Sequence, residues 1–219
     1  TSESYSNLYQ STLTSDRIGS VVTKLKGSVN SSNNESSAIF SKDGKTMYFT
    51  RNNMLNGKIK TDSLNNVLLK IYQATFDGKR WGSVKELPFN SNDYSCAHPA
   101  LSPNEDYLYF SSDMPGSIGE SDLYRVSILE GDTLGTPENL GPQINTLGRD
   151  TFPFITSDNL LIFSSDYRNG LGGLDLYYLD LNDNDTSIYT FSAPINSSFD
   201  DFGLIYKVSE GTGFISSNR

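Results

Sequence analysis

The sequence predicts an all-β fold, a β-propeller made of four-stranded antiparallel blades. Three recurring sequence markers support this prediction. An apolar residue followed by Asn and then Ser or Thr occurs at Asn30, Asn90, Asn145 and Asn196, at steps of 60, 55 and 51 residues. A short aromatic-rich segment and a Leu-Tyr or Ile-Tyr pair repeat with a similar period. Four short strands in a unit of roughly 50 residues are typical of a propeller blade.

Each unit is expected to contain four strands in a constant order, which we call a to d. Strand a is short and apolar and is expected at 38–40, 99–101, 153–155 and 203–205. Strand b is mostly aromatic and aliphatic and ends in Ser or Thr, at 47–50, 108–112, 161–165 and 213–217. Strand c carries the pair that ends in Tyr9, Tyr72, Tyr124 or Tyr177, and strand d precedes the Asn marker. The Asp43-Gly44 pair favours a tight hairpin between strands a and b.

These boundaries predict a single propeller domain over residues 1–219. It consists of a half-blade at 1–30, full blades at about 38–93, 97–149 and 152–200, and a half-blade at 203–219. If the two half-blades pair, the ring closes with four blades and leaves no exposed strand edge. If the chain is part of a longer protein, five blades are the alternative. We expect the chain to be a fragment of a larger multidomain protein.

Composition and charge exclude several classes of protein. The 219 residues include 17 basic and 26 acidic side chains, a formal net charge of −9, whereas nucleic acids and anionic membranes favour a basic surface. No apolar run approaches the roughly 20 residues of a transmembrane helix, so the chain is not expected to span a membrane. Cys96 is the only cysteine, which excludes an intrachain disulfide and a cysteine-based zinc site.

The glycine-rich segment FSSDYRNGLGGLDLYY (163–178) has the composition of a phosphate-binding loop but not its pattern. Gly170, Gly172 and Gly173 do not follow the G-x-G-x-x-G spacing, and no Lys-Ser or Lys-Thr pair follows them. The next residues are aromatic and branched without a helical period, which predicts a strand. We therefore interpret the segment as the loop between strands b and c, with glycines that permit turn conformations.

Four segments of the chain resemble the repeats of a known family. They are ESSAIFSKDGKTMYFTRNN (35–53), AHPALSPNEDYLYFSSDMPGSIGESDLY (97–124), INTLGRDTFPFITSDNLLIFSSDYRNGLGGLDLY (144–177) and the pair INSSFDDFG (195–203) and GFISSNR (213–219). They resemble the WD40-like, TolB-related propeller repeats of OmpA-family envelope proteins, and most closely those of bacteria that use type IX secretion and gliding motility. The resemblance covers the chain from about Tyr5 onwards.

The resemblance implies a place in the cell envelope. In that family a helical tetratricopeptide region precedes the propeller, and a carboxypeptidase-regulatory-like domain and a peptidoglycan-binding OmpA-like domain follow it. None of these domains is in the present sequence. The implied role is a periplasmic, outer-membrane-associated scaffold that holds protein partners of the outer membrane or periplasm. Peptidoglycan would be reached only through domains outside this chain.

Acidic residues precede strand a in three of the units and form the first candidate site. They are Glu35, Asp150 and Asp200, and Cys96 takes this place in the second unit. Because the d–a and b–c loops of a blade lie at the same end, these acids should share one face with Asp113 and Asp166. Such a ring of carboxylates could bind a cation or basic groups of a partner. The alternative is that the acids bond turn amides and neighbouring blades.

Basic and apolar residues complete the candidate interaction face. Arg51, Arg168 and Arg219 follow the ends of strand b and are expected to pair with the acids from blade to blade. The loop 51–69 is longer than its counterparts and carries Lys58 and Lys60, which makes it a candidate partner contact. The alternative is an insertion that the fold merely tolerates. Met114 is a possible apolar contact on the same face.

The sequence contains no recognisable catalytic constellation. His98 is the only histidine and is expected to be packed, and a single histidine does not make a multi-histidine metal site. No G-x-S-x-G motif supports a serine hydrolase. We therefore expect no enzymatic activity, no cofactor and no metal. The favoured function is a protein-interaction propeller of an envelope scaffold. The alternative is a propeller that binds a small ligand, a cation or a glycan on its acid-rich face.

Overall fold

The computed structural model describes residues 6–14, 17–55, 58–62, 65–183 and 186–219, which form antiparallel β-sheets. Residues 1–5 and 15–16 of the predicted first half-blade lie outside the described residues, as do 56–57 and 63–64 of the long loop. Three blades have their strands in the predicted a-to-d order, as sheets of four, five and four strands, with a two-stranded half-blade on either side. The propeller fold predicted from the repeats is confirmed.

Each blade is named by its strands. The first half-blade contains β1 (Tyr9–Thr14) and β2 (Arg17–Lys24). Blade 1 contains β3 (Glu35–Phe40), β4 (Thr46–Asn52), an inserted hairpin of β5 (Met54–Leu55) and β6 (Lys58–Ile59), then β7 (Leu69–Phe76) and β8 (Trp81–Glu86). Blade 2 contains β9 (Cys96–Leu101), β10 (Tyr107–Ser112), β11 (Asp122–Leu129), β12 (Thr133–Leu134) and β13 (Glu138–Asn139).

The remaining strands follow the same order. Blade 3 contains β14 (Asp150–Ile155), β15 (Leu160–Ser165), β16 (Asp175–Asp180) and β17 (Tyr189–Thr190). The last half-blade contains β18 (Asp201–Lys207) and β19 (Thr212–Ser217). Short 3₁₀ helices cover Glu130–Asp132 and Val208–Glu210. The two half-blades are separate two-stranded sheets, and the number of blades in a closed ring stays a prediction.

The Asn marker of each repeat is a side chain that bonds to strand c. Its amide group accepts the backbone N–H and donates to the backbone C=O of the Leu or Ile that precedes the repeated tyrosine. The pairs are Asn30 with Leu8, Asn90 with Ile71, Asn145 with Leu123 and Asn196 with Leu176. The Asn marker and the Leu-Tyr or Ile-Tyr pair recur together because they bond to each other. Strand d is short, and the Asn amide forms hydrogen bonds with the strand c backbone that strand d does not reach.

The turns between strands a and b share one hydrogen bond. The hydroxyl of the residue that follows strand a accepts the backbone N–H of the residue that starts strand b. The pairs are Ser41 with Thr46, Ser102 with Tyr107 and Thr156 with Leu160, each at 2.9 Å. In the first of these turns Gly44 has a φ of +67°, a backbone conformation that glycine adopts readily. The hairpin predicted from Asp43-Gly44 is confirmed.

The hydrophobic core lies between successive blades. One cluster joins the first half-blade to blade 1, a second joins blades 1 and 2, and a third joins blades 2 and 3. Phe49, Phe110 and Phe163 of strand b are fully buried in these clusters. Each half-blade is a sheet of only two strands, and Tyr9 and Phe214 are 56% and 50% exposed. Burial of strands b and c therefore depends on a complete blade rather than on their sequence.

The glycines of the loop before β16 serve close packing rather than turn conformations. Among the described glycines with a positive φ, none belongs to this loop. A Cβ atom on Gly172 would lie 2.1 Å from the backbone oxygen of Phe199, and one on Gly173 would lie 2.2 Å from Asp200 Oδ1. The loop thus packs directly on the linker to the next strand a. The predicted location of the loop is confirmed, and the reason given for its glycines is corrected.

Candidate functional site at the channel mouth

The innermost strands β3, β9, β14 and β18 surround the axis of the propeller and line its central channel. Each of the four strands has an irregularity in its register with strand b. The residue at this point has a positive φ: 48° at Ser37, 56° at His98, 50° at Phe152 and 62° at Gly203. A positive φ is uncommon for residues other than glycine. The bulge directs these residues to the channel, where blades 2 and 3 supply the rings of His98 and Phe152. Blade 1 and the last half-blade supply the small residues Ser37 and Gly203.

A cleft of about 250 Å³ lies above the bulges of blades 2 and 3, and we call it the mouth cleft. Its lining combines three groups, which are the polar Ser95, His98, Ser111, Ser112, Ser121 and Thr151, the apolar Leu69, Ala97, Phe152 and Leu174, and the charged Asp113, Glu120 and Arg149. The b–c and d–a loops supply the charged residues, so this is the face on which the sequence placed the candidate site. Asp113 is the single predicted site residue that lines the cleft.

His98 forms the floor of the mouth cleft. Its Nδ1 lies 2.9 Å from Thr151 Oγ1 and 3.1 Å from Ser111 Oγ. Its ring stacks on Phe152 with centroids 3.7 Å apart, and its backbone N–H donates to Thr50 Oγ1. Burial lowers the pKa of the imidazole to about 3, because desolvation penalises the charged form. The floor is therefore neutral and polar at pH 7, and the expectation that His98 is packed is met by these contacts.

The rim of the mouth cleft carries uneven charge. Asp113 and Glu120 are exposed, and Asp113 Oδ1 accepts the backbone N–H of Ser95 at 2.6 Å. Arg149 is also exposed, but its Nε donates to Asp166 Oδ2 at 2.6 Å. The Arg149 charge is thus compensated by Asp166, which also accepts the Arg149 backbone N–H. The predicted residue Asp166 is present near the mouth as a partner of Arg149.

The predicted ring of acids is buried beneath the face. Glu35 is 2% exposed and Asp150 is 0% exposed. The third acid of the ring is Asp201, at 0% exposure, and not the predicted Asp200. Asp200 lies one residue earlier, where it accepts the N–H of Leu174 and the side-chain amide of Asn218. The sequence signal for Asp201 is spacing, because Glu35, Asp150 and Asp201 each follow the Asn marker by five residues.

The three buried acids form the same contacts in their blades. Each carboxylate accepts the backbone N–H and the hydroxyl hydrogen of the Ser or Thr that follows the Asn marker, namely Ser31, Thr146 and Ser197. The alternative prediction, that the acids bond turn amides, agrees with these hydrogen bonds. Their burial and their hydrogen bonds leave them unsuited to contact a partner directly.

Two of the three arginines form an ion pair with the buried acid of their own blade. Arg51 Nε lies 2.9 Å from Glu35 Oε1, and the guanidinium also donates to the backbone oxygen of Val29. Arg219 lies 2.8 Å from Asp201 and donates to the oxygen of Ile195.

Arg168 donates to the corresponding oxygen, that of Ile144. Its charge lowers the pKa of Asp150, although burial dominates and raises that pKa overall. Each acid and its arginine belong to one blade, which corrects the expected blade-to-blade pairing. The same arginine also bonds the linker that enters that blade.

Blade 2 replaces the charged pair by sulfur-containing residues. Cys96 takes the place of the acid and Met114 the place of the arginine, and they are 0% and 9% exposed. Both belong to the cluster between blades 1 and 2. Burial raises the pKa of the Cys96 thiol to about 12, so the thiol is protonated at pH 7. Met114 was expected as an exposed apolar contact, and its burial corrects that expectation.

The long loop of blade 1 contains the short hairpin β5–β6. Lys58 is exposed, and Lys60 is partly buried, with backbone bonds to Asn53 and Leu68. Neither lysine lines the mouth cleft. Their predicted role in partner contact stays a prediction.

Within the described ranges, no group of three or more His, Cys, Asp or Glu side chains is arranged to hold a metal ion. The same part of the chain contains no helix that is long and apolar enough to cross a membrane.

No protein-family model and no curated protein matches the sequence. Solved structures do match. A TolB-like protein from Agrobacterium tumefaciens is 15% identical over 84% of this chain and 53% of its own, with a TM-score of 0.53. A puromycin-hydrolysing peptidase from Mycobacterium tuberculosis is 18% identical over 84% of this chain and 25% of its own, with a TM-score of 0.51.

An α-L-arabinofuranosidase from Lactobacillus brevis is 14% identical over 84% of this chain and 63% of its own, with a TM-score of 0.52. This chain therefore covers 25% to 63% of the length of these three structures, less than two thirds in each case. At these identities the likeness shows a β-propeller fold and nothing further.

These comparisons contradict the prediction that the chain is not an enzyme. A peptidase and a glycosidase share the architecture. The lack of a familiar catalytic motif in a propeller is therefore no ground for excluding catalysis. The same comparisons assign no activity to this chain, because a shared fold hosts many functions.

Proposed function

We propose that the chain is a protein-interaction propeller and that its partner binds over the mouth cleft. The observation that carries this proposal is the contrast between two sets of acids on one face. Glu35, Asp150 and Asp201 are buried and bonded within the fold, whereas Asp113 and Glu120 are exposed at the rim of a cleft on the propeller axis. Exposed charge around a concave site is what a partner meets first.

The finer proposal places this interaction in a bacterial cell envelope. It rests on the sequence resemblance to the TolB-related repeats of OmpA-family proteins. In this proposal the propeller lies in the periplasm, associated with the outer membrane, and helps to tie an assembly of the type IX secretion or gliding kind to peptidoglycan. Domains outside this chain would hold the peptidoglycan. The net charge of −9 is consistent with protein rather than nucleic-acid partners.

Site-specific photo-crosslinking tests the proposal in the cells that produce the protein. A photoreactive phenylalanine analogue would replace Glu120 at the rim, or Glu130, an equally exposed acid outside the cleft lining. We expect a discrete, light-dependent adduct with a protein from position 120 only, in the periplasmic or outer-membrane fraction. Equal adducts from both positions, or none from position 120, would contradict binding at the cleft. An adduct in the cytoplasm would contradict the envelope location.

A further inference from the structure

The rim of the mouth cleft carries two acids whose charge is not compensated. Within the described residues, neither Asp113 nor Glu120 takes part in an ion pair, and Arg149 is engaged by Asp166. The Asp113 carboxylate accepts one backbone N–H, which occupies a single oxygen atom. The rim therefore has a local excess of negative charge on a chain that is itself acidic.

The interior of the mouth cleft is suited to an aliphatic chain. Leu69, Leu174 and Phe152 form apolar parts of its wall. The floor presents the neutral His98 ring and the hydroxyls of Ser111 and Thr151, which are bonded to one another. The volume of about 250 Å³ far exceeds the roughly 30 Å³ that one water molecule occupies in the liquid. The cleft is thus large enough for a side chain rather than for a single water or ion.

We propose that the mouth cleft accepts a lysine or arginine side chain of the partner protein, an inference that rests on the proposed function. Such a side chain combines an aliphatic stem with a cationic head. The stem contacts the apolar wall, and the head lies within reach of the Asp113 and Glu120 carboxylates, where charge-assisted hydrogen bonds are strong. The acidic surface also increases the rate of encounter with a basic segment.

A peptide titration followed by two-dimensional NMR of the ¹⁵N-labelled chain tests the inference. The probes are acetyl-Gly-Arg-Gly-amide, acetyl-Gly-Lys-Gly-amide and the citrulline counterpart of the arginine peptide, which keeps the shape but lacks the charge. We expect the two cationic peptides to shift the amide signals of Ser95, Gly119 and Ser121 at the cleft. We expect the citrulline peptide to bind at least about tenfold more weakly, because it cannot form the charged hydrogen bonds.

Two variants and one matched control localise the effect. Asp113→Asn keeps the oxygen that accepts the Ser95 N–H, and Glu120→Gln removes a charge from a side chain without a described hydrogen bond. We expect the double variant to weaken the arginine peptide about tenfold. Glu130→Gln is the control for Glu120→Gln, because it removes one negative charge outside the cleft lining, and it should leave binding unchanged.

Equal binding of the arginine and citrulline peptides would overturn the inference, as would shifts that persist in the double variant or an absence of any shift at the cleft. Agmatine, a small guanidinium compound that is not a peptide, serves as a further probe. If agmatine binds and neither cationic peptide does, the cleft is a small-molecule site and the inference is overturned. The proposed function has a separate test. If position 120 forms an adduct with a protein but the cleft binds the arginine and citrulline peptides equally, the interaction role is supported. In that case the part of the partner that enters the cleft is not a basic side chain.

Discussion

Blades 1 and 2 use different side chains to donate a hydrogen bond to the same backbone oxygen, that of the residue before the Asn marker. In blade 1 the guanidinium of Arg51 bonds the Glu35 carboxylate and the backbone oxygen of Val29, the residue before the Asn marker. In blade 2 the equivalent oxygen belongs to Phe89, and it accepts the hydroxyl hydrogen of Tyr94 at 2.8 Å. A buried carbonyl needs a donor in both blades, and a phenol satisfies it as well as an arginine does.

The length of the linker explains why blade 2 carries no acid. Cys96 follows Asn90 by six residues, whereas the acids of the other blades follow their markers by five. In every blade the hydroxyl oxygen after the marker accepts the N–H two residues later, as Ser91 does from Asp93, but in blade 2 no described hydrogen bond joins this hydroxyl to strand a. A carboxylate at position 96 would be buried without the turn donors of the other blades, and the Ser112 hydroxyl, 3.5 Å from the Cys96 sulfur, would be its one described polar neighbour. A thiol and the Met114 thioether fill the space instead, which shows that an ion pair is optional once the carbonyl is satisfied.

The largest expected effect on stability comes from introducing a buried acid, like Glu35 of blade 1, into blade 2. Cys96→Asp should lower the free energy of unfolding by about 4 kcal/mol, because it buries a carboxylate that has no arginine partner, and the nearby Lys70 is already paired with Glu86. Adding Met114→Arg should recover roughly 2 kcal/mol of that loss, since Asp201 and Arg219, at the same spacing, form an ion pair. Urea denaturation at pH 7 measures both values. Met114→Leu is the control and should cost less than about 1.5 kcal/mol. An unchanged free energy of unfolding in Cys96→Asp would show that groups of blade 2 can donate hydrogen bonds to a carboxylate at this position.

The second effect comes from removing the charge of blade 1. Arg51→Met should cost about 3 kcal/mol, because Glu35, with a fully buried side chain, loses its cationic partner and Val29 loses a donor. Arg149→Met removes the exposed pair with Asp166 and should cost less than about 1 kcal/mol. Thermal or urea unfolding distinguishes the two. Similar losses in both variants would mean that burial of the pair does not decide its importance.

A smaller effect is expected from the tyrosine that replaces the arginine. Tyr94→Phe removes the hydroxyl that donates to Phe89 and should cost about 1 kcal/mol, the usual value for one neutral hydrogen bond. Tyr206→Phe, at a tyrosine that is 37% exposed, should change the unfolding free energy by no more than about 0.5 kcal/mol. An unchanged stability in Tyr94→Phe would indicate that water can take the place of the hydroxyl.

The smallest effect is a difference in pH dependence between two acids in equivalent positions. Burial opposes ionisation of Asp201, but hydrogen bonds from Ser217 and Ser197 and the Arg219 charge outweigh it, and the pKa is lowered. Burial dominates at Asp150 and raises its pKa despite the bonds from Thr146. Stability from Asp201 is therefore present above its unfolded pKa of about 3.8 and is lost as the pH falls through the folded value. Stability from Asp150 is present below about 3.8 and is lost as the pH rises through its raised folded value.

Two asparagine variants measure this difference. Between about pH 7 and pH 3, the stabilisation of the parent chain over Asp201→Asn should shrink as the pH is lowered. The stabilisation of the parent chain over Asp150→Asn should change in the opposite direction over the same range. Urea midpoints across the pH series give both trends. Parallel trends for the two variants would mean that the acids experience the same environment.

Much of the fold and part of the site follow from the sequence. The Asn marker and the Leu-Tyr or Ile-Tyr pair recur because they bond to each other in every blade. The period of these markers therefore predicts the length of one blade. The acid and arginine positions are also visible in the sequence, and the Asp201–Arg219 and Asp150–Arg168 spacings equal that of Cys96 and Met114. Counting three residues back from the predicted apolar strand gives Asp200, whereas counting five residues forward from the Asn marker gives Asp201.

The sequence by itself determined the all-β propeller, the order of strands within a blade and the turns, because these depend on hydrogen bonds between residues near one another in the chain. Only the tertiary structure decided which acids are exposed. Glu35, Asp150 and Asp201 are covered by linkers and loops packed against them, whereas Glu120 remains at a rim built from two blades. Burial depends on neighbouring blades, and no local pattern of residues encodes what lies across a blade interface.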